Sequence, residues 1–181
     1  PIEARPDSAY YPFSLYKLAW AHYNLRNVPR AMGYLERHIH YYDDQGNARK
    51  EKGGLSNSDS AIRESSLRDV VLFYLDGFEQ KNSKFAIGDA LSYFKSLEKG
   101  PFLSEMIERF AKLLRGHDHE KALTEFKNQL IEEEPHREVT LAVVLISFEY
   151  LFERSRFDEI KKITQDITRL QELNDSKFRR W

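Results

Sequence analysis

An alanine followed four residues later by a large apolar residue recurs down this chain, as Ala31 with Leu35, Ala90 with Phe94 and Ala122 with Phe126. Upstream of each pair lies a second set: Leu15, Leu18, Ala19 and His22; Leu67, Val70, Val71 and Tyr74; Ile107, Phe110, Ala111 and Leu114. All three sets follow the spacing i, i+3, i+4, i+7, which gathers the residues on one helical face. The small residue in the face lets a neighbouring backbone approach. Together the two signatures predict a helix–turn–helix unit in tandem, and internal repetition of that kind decides the fold before any other clue. It disfavours an enzyme, because an array of such pairs offers surfaces rather than a chemical centre.

The breaks between apolar runs set the expected boundaries. Residues 1–9 read as a linker or the end of a preceding unit, and 174–181 as a tail. Four units are expected at about 10–42, 61–98, 103–134 and 137–172, with an insertion at 43–60 that carries Gly53-Gly54 and Ser56-Asn-Ser-Asp-Ser60. Pro29, Gly100-Pro101 and Pro135 punctuate the pattern where helices should start or stop. Ala90 and Ala122 are 32 residues apart, close to one repeat length. In the last unit Ile160 takes the alanine position and Thr164 the large apolar one, with Val143, Ile146, Ser147 and Tyr150 as the first-helix face. Unit three looks one residue short in its turn.

Composition excludes several classes of function. The 28 basic and 29 acidic residues nearly cancel, where a nucleic-acid binder carries a basic excess. No apolar run reaches the roughly 18–20 residues of a membrane span. With no cysteine, disulfides, thiolate nucleophiles and thiolate metal sites are ruled out. No Gly-rich phosphate loop, Ser–His–Asp arrangement or carboxylate pair stands out. His38 and His40 are two apart on a helix and point away from each other, whereas His117 and His119 flank Asp118 in a turn and could chelate only weakly. No metal and no cofactor are therefore expected. Glu132-Glu133-Glu134, at a helix C-terminus where the dipole disfavours them, read as a solvated face.

At Tyr16-Lys-Leu-Ala-Trp-Ala-His-Tyr-Asn-Leu-Arg-Asn-Val-Pro-Arg-Ala31 and again at Asp118-His-Glu-Lys-Ala122 the chain resembles the tetratricopeptide repeat family. The resemblance covers about residues 10–172. It implies an all-α fold, a right-handed superhelix of about four antiparallel helix pairs whose first helices line a concave groove. Carried onto this sequence, the groove residues are Phe13, Tyr16, Trp20, Tyr23 and Asn24, then Arg68, Leu72, Leu75 and Asp76, then Glu108, Lys112 and Arg115. For Phe13 and Tyr16 the alternative is packing against a preceding repeat. The function implied is a non-enzymatic adaptor that holds a partner peptide or helix. The alternative is a segment of a larger scaffold or homo-oligomer that associates through its repeat ends. No polar capping helix is evident in the pattern at either end, so the chain reads as a piece of a longer array. Its repeats further resemble those of bacterial cell-envelope proteins in motility or secretion assemblies, which implies the periplasm, with the cytoplasm as alternative and no insertion into the membrane itself.

Overall fold

In the computed structural model, which describes Ser8 and residues 10–48 and 56–178, the chain forms eight α-helices and no strand among those residues. They are α1 (Tyr11–Asn24), α2 (Val28–Ala48), α3 (Asn57–Glu79), α4 (Ile87–Leu97), α5 (Phe102–Gly116), α6 (Glu120–Glu133), α7 (Glu138–Glu153) and α8 (Phe157–Phe178), with a 3-10 turn at Ser83–Phe85 after α3. Among the described residues no helix is long and apolar enough to cross a membrane. The described residues divide into two compact units between Phe85 and Ala86.

In unit one, α2 packs against both α1 and α3. Leu15 and Ala19 of α1 are fully buried, as are Ala31, Leu35 and Ile39 of α2. From Ser66 onward helix α3 is buried almost all round, through Leu67, Val70, Val71, Phe73, Tyr74 and Leu75. Its length is set at the N-terminus by Ser56, whose hydroxyl accepts the Asp59 backbone N–H at 3.1 Å, an N-cap that satisfies a donor the helix cannot. The 3-10 turn returns Phe85 onto α3 at Gly77. A Cβ at Gly77 would lie 2.3 Å from the Phe85 ring, so only glycine admits this close approach.

In unit two, α4 packs on α5 and α6, α5 also on α6 and α7, α6 on α7, and α7 on α8. The core is an aromatic ladder. Phe94 meets Phe110 edge-on at 5.3 Å, and Phe110 meets Phe126 likewise at 5.0 Å, all three fully buried. Helix α7 buries Val143, Ile146, Ser147 and Tyr150 as its spacing predicts. Lys127 is buried on α6, its charge met by Asp166 of α8 at 2.8 Å.

One structural repeat is invisible in the sequence. Arg26, Lys81, Asp118 and Ser155 all adopt positive φ, between 55° and 61°, one residue past the C-cap of α1, α3, α5 and α7. Each of the four turns makes the same two backbone bonds. The left-handed residue donates to the carbonyl three back (Arg26 to Tyr23, Lys81 to Phe78, Asp118 to Arg115, Ser155 to Phe152). The next residue donates five back (Asn27 to His22, Asn82 to Gly77, His119 to Leu114, Arg156 to Leu151). A glycine would mark such a site, and none of the four has one. Lys81→Gly should therefore stabilise the protein by about 0.5–1 kcal/mol and Lys81→Val destabilise it, read as shifts in the urea midpoint. Equal midpoints for the two variants would contradict the left-handed assignment.

Several expectations are corrected. Helix α2 continues past Tyr42 to Ala48 and α3 begins at Asn57, so the ends of the 43–60 insertion are helical; residues 49–55, with Gly53-Gly54, lie outside the described residues, as do residues 1–7 and 179–181. Unit three's turn is not short: residues 25–27, 117–119 and 154–156 are connections of equal length, and the alanine simply comes one position earlier in α6 than in α2. In α8 the buried residue at the large apolar position is Ile163. Thr164 is exposed, with its hydroxyl bonded back to the Ile160 carbonyl at 3.0 Å. The outer face of α8 is polar and exposed at Lys161, Thr164, Gln165, Thr168, Arg169 and Glu172, a face suited to water that the spacing did not reveal. The acidic run is not merely solvated. Lys95 pairs with Glu133 at 3.3 Å and Glu134 at 2.6 Å, and its hydrogen bond holds the Glu134 carboxyl below its ordinary range.

Candidate partner-binding surfaces

The predicted groove residues of unit one come together, but around partners of their own. Tyr16 Oη donates to Asp69 Oδ2 at 2.8 Å, and Trp20 Nε1 donates to the same oxygen at 3.2 Å. The Tyr23 ring stacks on Phe73 at 4.0 Å and 6°, and Trp20 meets both rings edge-on, at 5.3 Å and 5.2 Å. Burial, then the bond to Asp69, raises the Tyr16 pKa; burial, then a hydrogen bond to Asp76, raises that of Tyr23 further. Both phenols are neutral donors. The row is half-buried and holds α1 on α3, so part of its aromatic area is spent on the fold.

The remaining predicted residues of this unit fare differently. Asn24 is exposed at the end of α1, and Leu72 is half-buried on α3. Arg68 lies 3.8 Å from Glu64, one turn away. Leu75 is fully buried and lines no surface, because α3 turns apolar residues inward on nearly every side.

Histidine placement follows the helical geometry. His38 is buried and His40 exposed, the latter 3.7 Å from Asp43, so the two face apart. In unit two the rings of His117 and His119 lie near-parallel at 6.3 Å. Asp118 between them is turned away, accepting from Tyr150 Oη at 2.7 Å and from Arg154. Burial, then that bond, pushes the Tyr150 phenol up to about 12.

In unit two Lys112 pairs with Glu108 one turn earlier on α5, and Arg115 bridges to Glu149 and Glu153 on α7. These bridges place the polar face of α5 beside a surface the sequence reading did not assign. Leu141, Leu145, Phe148 and Phe152 run along α7 at spacings of four, three and four, a single stripe opposite its buried face. Leu145 is 43% exposed and Phe152 59%, and Phe148 lies nearly parallel to Phe152 at 6.1 Å. The signal was present in the sequence. It is masked because a helix apolar on every side shows no amphipathic contrast.

Unit one also contains a cavity of about 420 Å³ between its three helices, lined by Pro12, Phe13, Tyr16, Lys17, His38, Tyr42, Ile62 and Ser65. His38 Nδ1 lies 2.8 Å from Ser66 Oγ, and burial lowers its pKa to about 4. Phe13, at 60% exposure, stands at this opening. No protein-family model, no curated protein and no solved structure matches this chain.

Proposed function

We propose that the chain is a non-enzymatic interaction module of tetratricopeptide type, whose first helices take a helical segment of a partner protein. The observation that carries this reading is the apolar stripe Leu141, Leu145, Phe148 and Phe152, in which Leu145 and Phe152 are exposed and Leu141 and Phe148 half-buried. Its four–three–four spacing is the seam one helix presents to another, and an amphipathic helix laid along it would bury residues at i, i+3, i+4 and i+7. The rim is acidic, with Glu138, Glu149 and Glu153 on α7 offset by Arg115, so the partner helix should carry basic residues beside its apolar face. Lys112 extends the polar rim on α5. The repeat style adds an envelope scaffold as the setting.

The groove residues of α1 play a supporting part. Trp20 and Tyr23 hold α1 on α3, so truncating them would disturb the fold as well as any binding. The cleaner test changes the two rings of the α7 stripe, exposed Phe152 and half-buried Phe148. Helical peptides selected by display on the immobilised protein should carry apolar residues at three–four spacing with basic flanks. Phe148→Asp and Phe152→Asp should each weaken the best peptide by roughly tenfold or more, with helical circular dichroism unchanged, as expected for anchors of about 2 kcal/mol. Peptides that bind both variants as well as the parent would remove the α7 assignment. The scaffold alternative predicts concentration-dependent mass in light scattering; loss of that mass in Phe148→Asp would make the stripe a contact between copies.

A further inference from the structure

The cavity of unit one is independent of the α7 stripe, and its walls describe a different ligand. Three aromatic rings, Phe13, Tyr16 and Tyr42, stand with Pro12 and Ile62 around about 420 Å³, a volume in the range of small-molecule sites. Formal charge among the lining residues comes from Lys17 alone, exposed at the mouth with Nζ 5.3 Å over the Phe13 ring. Asp69 and Asp59, whose charges Tyr16 and Tyr42 feel, are not wall residues, and Asp69 already accepts two hydrogen bonds.

The polar group at the base is His38. Ser66 Oγ lies 2.8 Å from Nδ1 but 3.4 Å from the Ile62 carbonyl oxygen. Either the hydroxyl donates to Nδ1, or Nδ1–H donates to Oγ while the hydroxyl donates to the Ile62 carbonyl; Nδ1 is engaged by Ser66 in both arrangements. The cavity thus combines an aromatic box, a neutral imidazole at its base and a cation at the rim.

We propose that this cavity binds an aromatic carboxylic acid, its ring between Phe13, Tyr16 and Tyr42 and its carboxylate toward Lys17. The same chemistry is carried by a free aromatic acid or by a protein whose last residue is aromatic.

Calorimetric titration of the full chain with indole-3-acetate, indole-3-acetamide and tryptamine separates ring from charge. The acid should bind saturably at one site, with the amide and the amine at least tenfold weaker. Lys17→Glu should lower affinity for the acid about tenfold, and Phe13→Ala should weaken all three; both residues are exposed, so the fold survives either change. A peptide ending in Trp that binds more tightly than the free acid assigns the ligand to a protein terminus, and weaker binding assigns it to a small molecule. Equal binding of acid and amine, no saturable binding of any probe, or an unchanged affinity in Lys17→Glu would overturn the proposal.

Discussion

Phe110→Ala is expected to destabilise the protein by about 3–5 kcal/mol, a large share of the roughly 5–15 kcal/mol that holds a domain folded. The ring is fully buried and is the middle rung between Phe94 and Phe126, so its removal opens a cavity and breaks two edge-on contacts together. Ile107, Ala111 and Leu114 of the same helix are themselves fully buried, so the helix is held in place around the space. Phe110→Leu keeps most of the volume and should cost less than half as much. Urea titration followed by circular dichroism reads both variants. A loss below about 1 kcal/mol for the alanine would mean that the ladder is not the core of unit two.

The second large effect is a loss of stability in acid traced to His38. Burial lowers its folded pKa to about 4, against about 6.5 for an unfolded histidine. Above pH 6.5 neither state binds the proton and the residue has no effect on stability. As pH falls below 6.5 the unfolded chain takes the proton and the folded chain does not, so stability drops until the folded pKa is reached. By the linkage relation the loss reaches about 2 kcal/mol at pH 5 and about 3 kcal/mol at pH 4. Carboxylates contribute their own acid dependence, so the test is a difference. The double variant His38→Phe/Ser66→Ala removes both hydrogen-bond partners at once and leaves neither orphaned. The gap between it and the parent should shift by that amount from pH 7 to pH 4. A gap that stays constant would show that His38 takes up its proton as readily in the fold as in the unfolded chain, which contradicts the lowered pKa.

Much of the fold was legible because helical periodicity is a local signal. Every member of the sets around Leu67, Ile107 and Val143 is buried, and the all-helical class follows from those faces. In the first set Leu15 and Ala19 are buried while Leu18 and His22 are only half-buried. Helix ends were less legible. The Ser-Asn-Ser-Asp-Ser stretch looks like a linker by composition, yet Ser56 is an N-cap and Asp59 lies in the first turn. Ile163 rather than Thr164 takes the large position because α8 shares the register of α6, one position earlier than that of α2, after a connection of the same length.

The site was less legible than the fold, for two reasons. Long-range polar contacts such as Tyr16 to Asp69, or His38 to Ser66, join residues 53 and 28 positions apart and leave no trace in spacing. A helix apolar on all sides hides which face the fold leaves open: Leu75 was expected outside and is buried, whereas Phe152 is exposed and was not assigned.

Amide-resolved NMR titration with a display-selected amphipathic helix tests the interaction surface most directly. Binding along α7 should move the signals of Leu141, Leu145, Phe148 and Phe152, with smaller changes at Lys112 and Arg115 on α5. Shifts confined to the polar outer face of α8, or to the aromatic row of α1 with α7 unmoved, would contradict it.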